Sequence, residues 1–425
     1  MKPSQLACVL GCVAVVMLAA LGPVPVAACP FCTSPSMTLT EQLGAADAAV
    51  LVKWVGGTPA KLSDAGSTEF EVVDVVHQPA PAKEVLLDDR SLEPVNTVGR
   101  LKKGSKLNLI RYRASKSGDL FLLLGTVGAG KVEWGSPLEV TQAGYDYMKN
   151  SPKPVQPAAN RLAYFLPYLE HPDRMIGDDA FGEFANASYA DVVHLAKQMP
   201  REKLRTWLTT NTVSPGRVGL YGMMLGLCGT DDDAKLMERK IRETTDEFRL
   251  GIDGVMGGYL LLAGEQGLTI LDEKKLKDKK AAFSETYAAM QALRFMWQYG
   301  DNRIDHDRLR QSMRILLERP ELADLVIADL ARMKDWSVQD RLISLYEVDA
   351  YNIPSIKRAI VRFTLAAAKD TGLKKADPAA TSGPAVETAV DDLPAHVIKA
   401  QKCLEELEQR DPKTVQEAKR FFVLK

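Results

Sequence analysis

The sequence predicts a multidomain β + α protein in which a small β-barrel precedes an all-α array of stacked helix pairs. Three observations support this fold class. The chain has 425 residues, enough for two or three domains. Residues 29–150 contain short apolar segments separated by glycine-rich turns, a pattern typical of a small barrel or sandwich. Residues 158–370 instead place apolar side chains at helical spacing.

The charge balance argues against a nucleic-acid-binding protein. The chain has 54 Lys and Arg residues and 55 Asp and Glu residues, so its formal net charge is −1. With 46% hydrophobic and 26% charged residues, its composition is that of an average soluble protein. Because nucleic-acid-binding domains usually carry a basic excess, we expect no nucleic-acid partner.

Residues 1–28 have the pattern of a secretory signal peptide. Lys2 precedes an apolar run over residues 6–21, and small residues follow at 26–28. The run is broken too early for a confident membrane-spanning helix, which needs about 20 apolar residues. A retained N-terminal anchor is the alternative. We therefore predict an exported protein that is periplasmic, extracellular or lipid-anchored at the cell envelope.

The residues around the expected cleavage site add a second possibility. Residues 26–29 (Val-Ala-Ala-Cys) resemble a bacterial lipobox, in which the cysteine becomes the lipid-modified N-terminal residue. Val stands where the usual lipobox has Leu. Cys29 is therefore a lipidation candidate, and its lipid would be the protein's only link to a membrane. Ordinary cleavage before Cys29 is the alternative.

Cys29 and Cys32, in the order Cys-Pro-Phe-Cys, form the sharpest local motif. The motif resembles a thioredoxin-type or glutaredoxin-type redox pair, whose first thiolate is activated at a helix N-terminus. That fold also needs a preceding strand, and a mature chain beginning at Cys29 has none. We favour a local disulfide that pins the N-terminus in an oxidising compartment. No third Cys or His lies nearby, so we predict no metal site.

A short helix and six strands are predicted in the β-rich region. The helix is expected within residues 36–44, before the first strand. Alternating or continuous apolar residues predict the strands at 50–55, 70–76, 107–113, 120–124, 132–134 and 138–140.

This region resembles the netrin-type OB barrel of tissue inhibitors of metalloproteases and complement C-terminal modules. The resemblance rests on the Cys pair after the signal peptide, on residues 46–56 (ADAAVLVKWVG) and on residues 119–125 (DLFLLLG). The chain differs in its C-x-x-C spacing, in lacking the later cysteines of those barrels, and in the helices that follow. The resemblance implies a protease-inhibitor-like module in which the free Cys29 amine and carbonyl would chelate a target's zinc.

The helical region is predicted to be repetitive. Apolar helices occur around residues 221–228, 259–264, 287–297, 325–331 and 360–366. Their successive centres lie about 30–37 residues apart, a range typical of stacked helix pairs. Residues 171–185 and 335–343 resemble HEAT-type units, and in helix 321–333 Leu322, Leu325, Val326 and Leu330 share one face. The resemblance implies an α-solenoid whose surface binds protein or peptide partners.

Two glycine-rich motifs are interpreted as structural. Residues 125–132 (GTVGAGKV) nearly match a P-loop, but Val132 lacks the magnesium-binding hydroxyl and no helix is predicted to follow. We predict a glycine-rich turn there. Gly251, Gly254 and Gly258 lie on one predicted helix without dinucleotide-binding spacing, which favours close helix–helix packing with a bend.

The predicted function is binding or scaffolding without enzymatic activity, through the solenoid surface. A thiol-redox protein using Cys29 and Cys32 and a protease-inhibitor-like module are the alternatives, and no catalytic residue, cofactor or metal ligand is predicted. The predicted order is a signal peptide (1–28), a netrin/OB-like β-domain (29–150), a linker (151–157), a HEAT-like helical repeat domain (158–370), a flexible linker (371–395) and C-terminal helices (396–425).

Overall fold

The fold is known from a computed structural model. It describes residues 29–32, 36–79, 101–128, 131–153, 156–210, 212–243, 247–372 and 393–422. The predicted signal peptide and most of the predicted flexible linker, residues 373–392, lie outside these ranges. The chain divides between Pro200 and Arg201 into two compact units.

The N-terminal unit contains a six-stranded antiparallel sheet that curls into a nearly closed barrel. Its hydrogen-bonded order is β3-β2-β1-β4-β5, with β6 beside β4. All six strands lie where the sequence predicts them. They are β1 (Ala48–Thr58), β2 (Ser67–His77), β3 (Lys106–Ile110), β4 (Leu120–Gly128), β5 (Lys131–Trp134) and β6 (Leu138–Glu139).

The curvature of the sheet comes from irregular pairing between β1 and β2. Their register shifts at three places, and such bulges bend a strand and increase its twist. The curled sheet encloses Phe70 and Phe121, whose rings meet edge to face at 5.4 Å. The third strand ends earlier than predicted, at Ile110, because Arg111 has a φ of 91° and leaves the extended conformation.

The segment that nearly matches a P-loop, and that is predicted to be a structural turn, lies in a β-hairpin. Gly128 at the end of β4 pairs with Lys131 at the start of β5. A phosphate-binding loop needs a helix N-terminus at this point, and the chain forms a strand instead. The prediction of a structural turn is therefore supported, although residues 129 and 130 of the motif lie outside the described ranges.

Helices complete the N-terminal unit. The first begins after Thr38, whose side chain and Glu41 form a capping box, so it starts later than the predicted residue 36. The helices are α1 (Leu39–Ala45), α2 (Gln142–Lys149), α3 (Ala158–Phe165), α4 (Arg174–Asn186) and α5 (Tyr189–Val193).

The second unit is helical throughout its described residues. Its helices are α6 (Arg201–Thr209), α7 (Val218–Cys228), α8 (Asp231–Arg242), α9 (Ile252–Leu271), α10 (Phe283–Tyr299), α11 (His306–Ile315), α12 (Ala323–Arg332), α13 (Gln339–Leu345), α14 (Pro354–Lys369), α15 (Ala395–Arg410) and α16 (Pro412–Phe422). Of the helices in the described ranges, none has the length and apolar character needed to cross a membrane.

Helices α7 and α9 pack at unusually short range. A Cβ added at Gly258 would lie 2.1 Å from the carbonyl oxygen of Gly222, and one at Gly226 would lie 2.4 Å from the Cα of Gly258. Helix α9 also bends at Gly264, which has a φ of 57°. The predicted close packing is thus found at Gly254 and Gly258, whereas the bend lies further along, at Gly264, and Gly251 precedes the helix as its N-cap.

One predicted helix face is partly wrong. A short 3₁₀ turn precedes α12, and Leu322, Val326 and Leu330 are buried as predicted. Leu325 is exposed, whereas Ala323 and Ile327 are buried. The buried face is therefore displaced around the helix, away from Leu325.

Candidate functional site

The N-terminal cysteine pair forms the predicted local disulfide, with the two Cα atoms 5.4 Å apart. Cys29 is only 5% exposed. Its backbone nitrogen donates to the carbonyl oxygen of Ala185 in α4 at 3.1 Å, and its carbonyl oxygen accepts from the nitrogen of Cys32 at 3.3 Å. The pair therefore lies on a turn that is fixed to α4.

This geometry bears on the other roles considered for Cys29. A sulfur in a disulfide cannot simultaneously carry a lipid thioether. The backbone nitrogen and carbonyl that would chelate a target's zinc are already engaged in hydrogen bonds. The pair also lies in a turn, whereas a thioredoxin-type thiolate is activated at a helix N-terminus.

Two buried carboxylates on α4 form hydrogen bonds with the N-terminal segment, at Leu39 and Thr40. Asp179 Oδ1 accepts from the backbone nitrogen of Leu39 at 2.6 Å, and Oδ2 accepts from the Tyr147 hydroxyl at 2.7 Å. Glu183 accepts from the Thr40 hydroxyl and pairs with Arg161 at 3.2 Å. We call these two acids and their partners the α4 seat.

The sequence positions both acids on one side of α4. Asp179 and Glu183 are four residues apart, so they lie one above the other on the helix. Ile176, Ala180 and Phe184 share the buried side. Sequence reasoning missed the seat, although two acids at this spacing between inward-facing apolar residues are a recognisable signal.

Asp179 has an unusual ionisation. Its pKa is raised to about 6, chiefly by burial and also by the neighbouring charges of Glu183 and Glu41, while the Leu39 and Tyr147 hydrogen bonds lower it. Burial also raises the pKa of the Tyr147 hydroxyl, so it stays a donor. Asp179 therefore exchanges its proton in a range where few carboxylates do.

A cleft opens between residues 36–42 and α4. Its volume is about 460 Å³. Asp178 and Asp179 lie in its wall together with three apolar side chains, Met37, Met175 and Phe181. The cleft thus joins the most perturbed carboxyl of this unit to an apolar surface.

In the helical unit, buried carboxylates instead pair with arginines. Asp233 accepts from Arg201 and Arg205, and Glu285 accepts two bonds from Arg249 at 2.9 and 2.6 Å. Asp329, which could be mistaken for a Walker B acid, lies on α12 and pairs with Arg294 at 2.6 Å. These acids are structural ties between helices.

Two other residues of the helical unit with reactive or charged side chains have structural surroundings. Asp305 caps α11. Burial raises the pKa of the Cys228 thiol to about 11, so the thiol stays protonated and unreactive near neutral pH. In the part of the chain that the structure describes, no three His, Cys, Asp or Glu side chains are grouped so that they could hold a metal ion.

Comparison of the chain with family models, with curated proteins and with solved structures finds no match. The function must therefore be argued from the geometry alone.

Proposed function

We propose that the protein is an exported, non-enzymatic binding or scaffold protein that acts through a surface of its helical unit. We also propose that the barrel is netrin-like and that the helices form a HEAT-like solenoid. A solenoid offers a long surface for protein or peptide partners and little built-in chemistry.

The observation that carries this proposal is a similar spacing in five of the hydrogen bonds that join distant residues of the helical unit. Hydrogen bonds join Arg201 to Asp233, Arg249 to Glu285, Arg308 to Asp272, Arg294 to Asp329 and Trp336 to Asp370. In these pairs the residues are 32 to 36 positions apart. This range agrees with the repeat predicted from the apolar helices. Bonds at this spacing are what neighbouring helix pairs of the proposed array would form.

A group of exposed apolar side chains is the proposed contact surface. Phe248 is 71% exposed, Leu250 41% and Phe283 51%. The bidentate pair between Arg249 and Glu285 joins the two segments that carry them. A continuous exposed apolar patch marks an interaction site more often than single exposed residues do, and we propose that these side chains form such a patch. Because the buried pair fixes these segments, the surface is preorganised for a partner.

Charge reversal tests this surface. A variant with Phe248→Asp and Phe283→Asp should lose the proteins that cross-link to the wild type in the exported fraction of its native cell. Leu62, fully exposed in the N-terminal unit, provides the matched control Leu62→Asp, which should keep them. If the double variant retains the same cross-linked proteins as the control, the proposed surface is wrong.

A thiol-redox protein that uses the Cys29–Cys32 disulfide is the second candidate. Its reduction potential against glutathione decides between a structural and a redox role. A potential well below the glutathione poise would leave the disulfide structural, as the burial of Cys29 favours. Mass spectrometry of the mature N-terminus tests export, which predicts a chain beginning at Cys29 with the disulfide intact and no lipid.

A further inference from the structure

The cleft beside Asp179 has the size and the walls of a small-molecule site. Its volume of about 460 Å³ falls within the range of ligand pockets, roughly 300–1,000 Å³. Met37, Met175 and Phe181 give it apolar walls, and Met37 is 54% exposed at its rim. A few carboxyl oxygens set in such a wall fix the orientation of a ligand.

Asp179 is buried without a positive partner. It is 7% exposed, and both of its hydrogen-bond donors, the Leu39 amide and the Tyr147 hydroxyl, are uncharged. No Lys or Arg among the described residues forms an ion pair with it. Burying a carboxylate without a cation is costly, so an external cation in the cleft would gain the interaction that the protein does not provide.

The groups packed around Asp179 leave the site negative. Every element of the seat contributes a titratable or charged group: Glu41 from α1, Tyr147 from α2, Arg161 from α3, and Asp178 and Glu183 from α4. Arg161 pairs with Glu183, and Arg174 pairs with Asp178 on the helix surface. The two arginines thus offset Glu183 and Asp178, while Asp179 and Glu41 keep hydrogen bonds from uncharged donors.

We propose that this cleft binds an alkylammonium group, with Asp179 as its counter-charge and Met37, Met175 and Phe181 against its methylene chain. The group belongs either to a free aliphatic amine or to a lysine side chain of a peptide. The site is formed entirely within the N-terminal unit, so it is independent of the surface proposed for the helical unit.

Calorimetric titration of the full-length mature chain tests the proposal. The probes are butylammonium, the isosteric but uncharged butanol, and Nα-acetyl-lysine methylamide for a peptide side chain. Butylammonium should bind at least tenfold more tightly than butanol. Tighter binding of the lysine derivative would assign the site to peptides, and tighter binding of butylammonium would assign it to free amines. Equal affinities of butylammonium and butanol would overturn the proposal.

The pH dependence supplies a second readout. The ionised fraction of a carboxyl with a pKa of about 6 rises from roughly one tenth at pH 5 to nine tenths at pH 7, so the apparent Kd should fall roughly tenfold between these values. Asp179→Asn should abolish this dependence, whereas Asp146→Asn, at an exposed acid of α2, should preserve it. A pH-independent Kd for the wild type contradicts the proposal.

A rim variant keeps the proposal testable if Asp179→Asn disturbs folding. Met37→Ser changes an exposed side chain and should weaken butylammonium several-fold without changing the pH dependence. Unchanged affinity in Met37→Ser would place the ligand elsewhere.

Discussion

The crossing of α7 and α9 gives the sharpest stability prediction, through the substitution Gly258→Ala. The added methyl would lie 2.1 Å from the carbonyl oxygen of Gly222, about 1.3 Å inside the 3.4 Å at which ordinary contact begins. The obstacle is backbone, so no rotamer change relieves it. The two helices must move apart, which also loosens the neighbouring contact between Gly226 and Gly258.

Two opposing effects set the magnitude of the change. Replacing a helical glycine with alanine contributes about 1 kcal/mol of helix propensity. Overpacking a close interface costs about 1–3 kcal/mol, occasionally more, and a clash with backbone belongs at the upper end. We expect a net loss of about 2 kcal/mol in the free energy of unfolding. For a unit of this size the melting temperature should fall by about 4–8 °C.

Thermal unfolding followed by far-UV circular dichroism measures this change, and Gly216→Ala is the matched control. Its Cβ would meet nothing closer than the Leu250 side chain at 3.9 Å, so this variant should be neutral or more stable by up to about 1 kcal/mol. A Gly258→Ala protein that melts at or above the temperature of the control would refute the argument that backbone proximity requires glycine here.

Three further predictions concern polar groups. Because the folded Asp179 has a pKa of about 6, above its unfolded value of 3.8, the folded state binds more protons between these pH values. The free energy of unfolding should therefore fall by up to about 3 kcal/mol as the pH rises through this window. Urea unfolding at several pH values measures this change, and Asp179→Asn should make the free energy of unfolding less dependent on pH. The same pH dependence in the variant and the wild type would contradict the prediction. Glu285→Ala removes the acid that Arg249 and the buried Lys275 share, and it should cost about 3–5 kcal/mol. Arg174→Ala, at an exposed pair, should cost at most about 1 kcal/mol, and similar losses of the two variants in urea unfolding would mean that burial does not matter. Thr38→Ala removes the cap of α1 and should lower the free energy of unfolding by about 1 kcal/mol. The Glu41 amide, which donates to the Thr38 hydroxyl, should exchange its hydrogen faster, and an unchanged exchange rate would show that the cap contributes nothing.

Local patterns were sufficient to predict the strands and most helices. Alternating apolar residues and glycine turns located all six strands, because a strand's period of two is visible over a few residues. The end of β3 was missed, since nothing in the sequence around Arg111 indicates a positive φ there. Leu325 was placed on the wrong side because helical spacing defines a stripe, while neighbouring helices decide how far it extends around the axis.

The two parts of the N-terminal site differ in how far sequence could reach them. Cys29 and Cys32 are three residues apart, so their pairing is a local question that the motif answers. The α4 seat depends on bonds between residues 140 and 143 positions apart, joining the N-terminal segment to Asp179 and Glu183. Helical spacing indicates that these acids share a side, but only the tertiary fold shows that this side is buried.

The treatment of buried acids elsewhere in the chain strengthens the case for a ligand at Asp179. Asp233 and Glu285 are as buried as Asp179, yet their pKa values are lowered, because arginine hydrogen bonds outweigh desolvation. At these two sites the sequence thus solves the problem of a buried carboxylate by supplying a guanidinium, whereas at Asp253 burial raises the pKa and only backbone hydrogen bonds oppose it. At Asp179 it supplies two neutral donors and leaves an open cleft, at the expense of stability above pH 6. Perturbed groups of this kind concentrate at functional sites. A cation that enters from solvent would complete at Asp179 the pairing that arginine completes at Asp233 and Glu285.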